Sequence, residues 1–99
     1  SHVKSFPMLV IRNGLGAAIA FLFSKGDKEQ GVYRMVGESI VEWLKEDEKY
    51  TNYGIEINGE LDLKNLSKKV TEINSPNYRA LTIEILAFFN WLRRFADGL

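Results

Sequence analysis

The stretch SPNYRALTIEILAFFNWLRRFADGL, residues 75–99, decides how the rest of the chain is read. Ser75 as a cap with Pro76 at the first helical position is a helix-start signal, and Gly98 is a stop. Between them Leu81, Ile85, Phe88, Leu92 and Phe95 recur at spacings of four, three, four and three, so the pattern predicts a helix to about residue 95 or 96 with that stripe in the core. At 100° per residue the opposite side carries Arg79, Ile83, Leu86, Asn90, Arg93 and Arg94. A solvated face needs neither Ile83 nor Leu86. More chain or a partner packs there.

Working back from this helix, Asp62 caps another over about 63–73, with a stripe of Leu63, Leu66, Val70 and Ile73. Lys64 and Lys68 point away from that stripe and Lys69 lies on its flank. Residues 46–62 lose the helical period. Glu46-Asp47-Glu48 is acidic, Asn52, Gly54 and Asn58-Gly59 are turn residues, and the alternation of Tyr53, Ile55 and Ile57 allows a short extended piece. So long a loop in so small a protein is decoration or an interaction element. Residues 28–45 carry Tyr33, Val36, Ile40 and Trp43 on one helical stripe, with Val32, Met35 and Leu44 beside it. Asp27 followed by Gln30 resembles a capping box at its start. Arg34, Glu38, Glu42 and Lys45 line the other side and can pair along it.

Residues 6–24 are apolar almost all round, which predicts a helix wrapped by others. Pro7 suits its first turn, and Gly26 suits a left-handed end with Lys25 before it. Gly14, Gly16, Ala17, Ala18 and Ala20 predict a close helix approach or a kink. The length approaches that of a membrane span, but Arg12-Asn13 near its middle argues for a buried helix instead. The expected fold is all-α: one domain over 1–99, a compact bundle of about four main helices with one irregular acidic loop, 46–62. Its expected core includes Leu81, Phe88, Leu92, Phe21, Val36, Trp43 and Leu66.

Composition removes much chemistry. The chain has 99 residues, 45% apolar and 26% charged, a globular balance. It has no cysteine, so disulfides, thiolate metal sites and cysteine nucleophiles are excluded. Its one histidine is His2, and Ser1-His2 reads as a cloning remnant; without it there is no imidazole for a triad or a zinc site. Asn13-Gly14-Leu15-Gly16 sits inside a helix pattern, not after a strand, and is not a phosphate loop. Glu38 and Glu42 are four apart and suited to a shared metal, but metal chemistry of that kind needs further carboxylates from a second helix. Tyr33, Trp43, Tyr78 and Trp91 fit core or rim positions better than base-stacking ones. No catalytic residue, metal ligand or cofactor is expected. No secretory signal is visible, and a cytoplasmic protein is expected.

Net charge is zero but unevenly placed. Residues 1–26 hold Lys4, Arg12 and Lys25 and no acid; 27–62 hold ten acids against four bases; 63–99 hold six bases against three acids. A basic side of this kind is either a solvated face or a surface for an anion, nucleic acid being the usual one. Arg12, in its apolar setting, either pairs with an acid such as Glu84 or is held for a ligand. Arg79, Arg93 and Arg94 share one side of the last helix, where the planar guanidinium suits phosphate oxygens; the alternative is pairing with acids of residues 28–45.

Three blocks carry a resemblance. These are Gly14-Leu15-Gly16-Ala17-Ala18-Ile19-Ala20-Phe21-Leu22-Phe23-Ser24-Lys25-Gly26, then Glu42-Trp43-Leu44, then Tyr78-Arg79-Ala80-Leu81-Thr82 with Glu84, Leu86, Ala87, Phe88 and Trp91-Leu92-Arg93-Arg94-Phe95-Ala96. In order and spacing they resemble the small-subunit family of the Cmr (type III-B) CRISPR effector complex. Residues 46–70 carry no family signal. The resemblance implies an all-helical, non-catalytic subunit that lines up beside the backbone subunits holding the guide RNA. It also implies a basic side that helps form the target-RNA channel, while guide pairing supplies sequence specificity. Members usually begin with a further helix ahead of the stretch that starts here at Lys4. Its absence here fits the unexplained Ile83 and Leu86, and implies self-association or helix exchange.

The expected RNA-contacting residues are Arg12, Lys25, Lys68, Lys69, Arg79, Arg93 and Arg94. Expected partners are the other subunits of the Cmr complex, the backbone subunit and further copies of this chain among them, with guide and target RNA and no membrane. The alternative is a helical adaptor that binds protein alone; a carboxylate-dependent nucleotide hydrolase is a third reading.

Overall fold

The computed structural model describes residues 2–28 and 31–97, with side chains over 6–25 and 31–95. The helices are α1 (His2–Asn13), α2 (Leu15–Lys28), α3 (Val32–Lys45), α4 (Leu63–Lys69) and α5 (Ser75–Asp97), with a 3₁₀ segment over Glu46–Tyr53. No strand occurs among the described residues. The all-α expectation holds, but the helices differ in number and ends.

The single helix expected over 6–24 is two. Gly14 takes φ 88°, a left-handed conformation that other residues adopt at a cost, and the chain turns there between α1 and α2. The N–H of Gly14 still reaches the Val10 carbonyl and that of Ala18 the Gly14 carbonyl, so the break costs few backbone bonds. α2 then runs through Gly26 to Lys28 instead of stopping at Gly26. α3 starts at Val32, after Gly31 at φ 112°, four residues later than expected. Gln30 of the expected capping box and the stop at Gly98 lie outside the described residues.

Asp62 caps α4 as expected: its carboxylate accepts from the Asn65 N–H at 2.8 Å, and Asn65 Oδ1 accepts from the Asp62 N–H at 2.9 Å. α4 closes at Lys69, short of the expected 73. The residue whose side chain caps α5 is Asn74, not Ser75. Its Oδ1 accepts from the Asn77 N–H at 2.9 Å, which places Ser75 in the first turn.

One apolar cluster joins these elements: Phe6 and Val10 from α1, Leu15, Ala18, Ile19 and Leu22 from α2, Val36, Ile40, Val41 and Leu44 from α3, and Leu66 from α4. Ile55 and Leu61 close it from the irregular segment, and Leu81, Ile85 and Phe89 from α5. The expected α5 stripe therefore needs correction. Phe89 is the buried ring, 4.8 Å from Phe6, whereas Phe88 and Leu92 are half-buried and Phe95 is exposed. α5 packs at the edge of the bundle, against α1 and the 3₁₀ segment, so only a narrow face of it turns inward. Of the other expected core residues, Leu81, Val36 and Leu66 are buried. Trp43 and Phe21 are half-buried at the rim, where Trp43 stacks on Phe88 at 4.9 Å and Phe21 meets Tyr33 edge-on at 5.5 Å.

Ile83 is 66% exposed, while Leu86 is partly covered by the core. No helix among the described residues is long and apolar enough to cross a membrane.

Candidate nucleic-acid interface

α1 and α5 lie antiparallel. Phe6 meets Phe89 near one end, and at the other the Gly16 N–H, in the first turn of α2, donates to the Tyr78 hydroxyl at 3.0 Å. That junction brings the last turn of α1, the first turn of α2 and the first turns of α5 together. Arg12 and Arg79 stand on two of these three elements, and both are exposed. Arg93 and Arg94 lie near the other end of α5, about 21 Å further along at 1.5 Å per residue. Lys68 and Lys69 close α4, which packs on α2 and α3. The seven expected RNA contacts are thus spread over the molecule and do not form one cluster.

Their pairing states differ. Of the two alternatives for Arg12, the ion pair with Glu84 is absent; Glu84 lies beside the 3₁₀ segment, where its charge adds to burial in raising the Tyr53 pKa. Among the described residues Arg12, Arg79, Arg94 and Lys68 have no carboxylate partner, and Arg93 reaches only Asn90 Oδ1, at 3.5 Å. The alternative in which these arginines pair with acids of α3 is not what the structure shows. Lys69 is tied to Glu72 at 3.5 Å. The ammonium of Lys25 sits 5.9 Å from the Phe21 ring centroid.

The acidic middle of the chain is the opposite case, since Arg34, Lys45 and Lys49 are all paired locally. Arg34 pairs with Glu38 at 3.1 Å, Lys49 with Glu46 at 3.2 Å, and Lys45 with Glu42 at 3.6 Å and with Glu60. The hydrogen bond from Lys45 holds the Glu60 carboxyl below its usual range, and that same bond raises Lys45. A groove of about 700 Å³ opens here between Phe23, α3 and residues 60–64. Its carboxylates are engaged: Glu38 by Arg34, Glu42 and Glu60 by Lys45, and Asp62 by the start of α4. No group of three carboxylate or histidine ligands arranged for a metal ion occurs among the described residues, and Glu38 and Glu42 gain no third partner.

Sequence reasoning missed two features: the Tyr78–Gly16 contact and a run of stacked rings along α5. The first carries no spacing signal, because its partners are 62 residues apart. The second is written in the spacing of Phe88, Trp91 and Phe95, which reads equally well as core.

A family model described as "CRISPR-associated protein (Cas_Cmr5)" matches residues 1–99. The protein "CRISPR system Cmr subunit Cmr5" of Thermus thermophilus is 30% identical over 93 residues, which cover 94% of this chain and 67% of that protein. No solved structure matches the chain.

Proposed function

Because the chain belongs to the Cas_Cmr5 family of CRISPR-associated proteins, we propose that it acts as a non-catalytic small subunit of an RNA-guided Cmr complex in the cytoplasm. In this reading it packs along the backbone subunits and lends a basic surface to the channel that receives target RNA. No cofactor is required. The observation that carries the reading is the contrast in pairing. Arg34, Lys45 and Lys49 of the acidic segment are taken by neighbouring carboxylates, whereas among the described residues Arg12, Arg79, Arg93 and Arg94 on α1 and α5 have none. An exposed guanidinium without an acid keeps its donors for phosphate oxygens, and contacts of that kind read no sequence.

The test is a nuclease footprint of target RNA on the complex assembled with and without this chain. Protection lost with the chain and restored by adding it back supports the reading. An identical footprint refutes it.

One observation favours a protein contact as well. Ile83 at 66% and Ile11 at 67% exposure are large apolar side chains in water. Further copies of the chain, or a backbone subunit, cover them in this proposal. The adaptor that binds protein alone is the second reading, and the same footprint separates the two.

A further inference from the structure

Four aromatic rings form a stack that begins at the rim of the core and ends in solvent. Trp43 on α3 lies 4.9 Å from Phe88 with planes 18° apart; Phe88 lies 6.5 Å from Trp91 at 23°; Trp91 lies 5.7 Å from Phe95 at 20°. Spacings of three and four residues put the three α5 rings on one face. The inner end is closed by the Lys49 ammonium, 5.2 Å from the Trp43 centroid. The outer end is open: Trp91 is 59% exposed and Phe95 56%, so Trp91 does not take the core or rim position expected of it from the sequence.

Near-parallel planes matter here. Aromatic pairs in protein cores settle as readily edge-to-face as stacked. A run of stacked rings with an exposed last member instead presents a flat π-surface, and the group that extends it best is another flat ring. The charge around it suits a polyanion. Residues 85–96 contain no acid. Arg94, three residues after Trp91 and next to it on the helix surface, has no carboxylate partner among the described residues. Glu84, one turn before Phe88, lies within electrostatic reach of Tyr53 on the 3₁₀ segment.

We propose that Trp91 and Phe95 form a base-stacking platform for single-stranded RNA, with Arg94 holding an adjoining phosphate. The inference rests on the RNA-contacting reading above and adds an attraction that salt does not screen. Stacking one base on an aromatic ring is worth about five- to a hundredfold in affinity and tolerates any sequence. It would let a surface with few cations hold RNA that its charges alone would release.

The experiment uses the assembled complex and a uridine-rich target RNA. Irradiation at short ultraviolet wavelength, followed by mass spectrometry of the cross-linked peptides, is expected to place uridine on the peptide holding Trp91 and Phe95. Trp91→Ala with Phe95→Ala is expected to weaken target binding about tenfold or more, without changing the slope of affinity against salt. Trp91→Phe, which keeps a ring, is expected to stay within about threefold. The cross-link needs no variant, so misfolding of the double variant does not blunt the test. Unchanged affinity together with absence of the cross-link overturns the platform, even where the wild-type footprint upholds the arginine reading. Loss of the double variant from the complex, with RNA held normally by the remaining subunits, also overturns it and makes the strip a protein-docking face. A wild-type chain that leaves no footprint defeats the RNA-contacting reading itself.

Discussion

The Tyr78 hydroxyl accepts a hydrogen bond from the Gly16 N–H at 3.0 Å, and a Cβ added at Gly14 would stand 3.2 Å from the same oxygen. One phenol thus satisfies a donor in the first turn of α2 and occupies the space that a side chain at the break would need. Tyr78→Phe leaves the part-buried N–H without its partner and is predicted to cost about 1–3 kcal/mol. Gly14→Ala forces φ 88° on a residue with a Cβ and is predicted to cost about 1–2 kcal/mol, with crowding against Tyr78 adding to it. Urea denaturation checks both. A midpoint unmoved by either substitution would mean that the break does not depend on this contact.

Phe89→Ala and Phe95→Ala separate the observed core face of α5 from the one its spacing suggests. Phe89 is 1% exposed and packs on Phe6, so its loss is predicted to cost about 3–5 kcal/mol. Phe95, exposed, is predicted to stay within about 0.5 kcal/mol. Equal losses in thermal denaturation would contradict the assignment.

These two cases show where sequence reading succeeds and stops. A stripe at 81, 85, 88 and 92 and one at 81, 85 and 89 are both helical, and the choice belongs to Phe6 on another helix. The small residues around Gly14 announced a close approach or a kink. The Tyr78 hydroxyl that bonds to Gly16 beside the break lies 62 residues away, beyond the reach of local pattern. Asp62 was legible because a cap and its partner are three residues apart. Asp47 and Glu48, both left-handed at φ 51° and 52°, were not, since nothing in an acidic run marks positive φ. At the candidate interface, the excess of arginine over acid on α5 was plain from composition. Whether each arginine pairs depends on which helices adjoin it: Glu84 was a plausible partner for Arg12, yet it lies beside Tyr53.

The Lys45–Glu60 pair gives a pH signature. Hydrogen bonding from the Lys45 ammonium, then its charge, lowers the Glu60 carboxyl from its usual 4.5; bonding to Glu60 is the main cause that raises Lys45 from 10.5. The Glu60 contribution to stability is therefore complete above the ordinary carboxylate range and lost as pH falls through the lowered folded value. That of Lys45 is complete below 10.5 and lost as pH rises through the raised one. Carboxyl titration by NMR should find Glu60 below 4.5 and see it return toward 4.5 in Lys45→Met. A normal wild-type titration would show that the pair does not persist in solution.

Exposed apolar side chains predict self-association. Light scattering is expected to report a mass that rises with concentration, and Ile83→Ser is expected to reduce that rise. A constant monomer mass at high concentration would contradict it.

The salt dependence of target-RNA binding by the assembled complex, with Arg79→Ala and Arg93→Ala together, tests the basic side most directly. The predicted result is weaker binding for every target sequence alike. The log–log slope should be shallower by about 1.4, two phosphates at about 0.7 each, with the subunit still in place. An unchanged slope would contradict the account. So would a double variant that drops out of the complex while the remaining subunits bind RNA normally, since the arginines would then serve a protein interface.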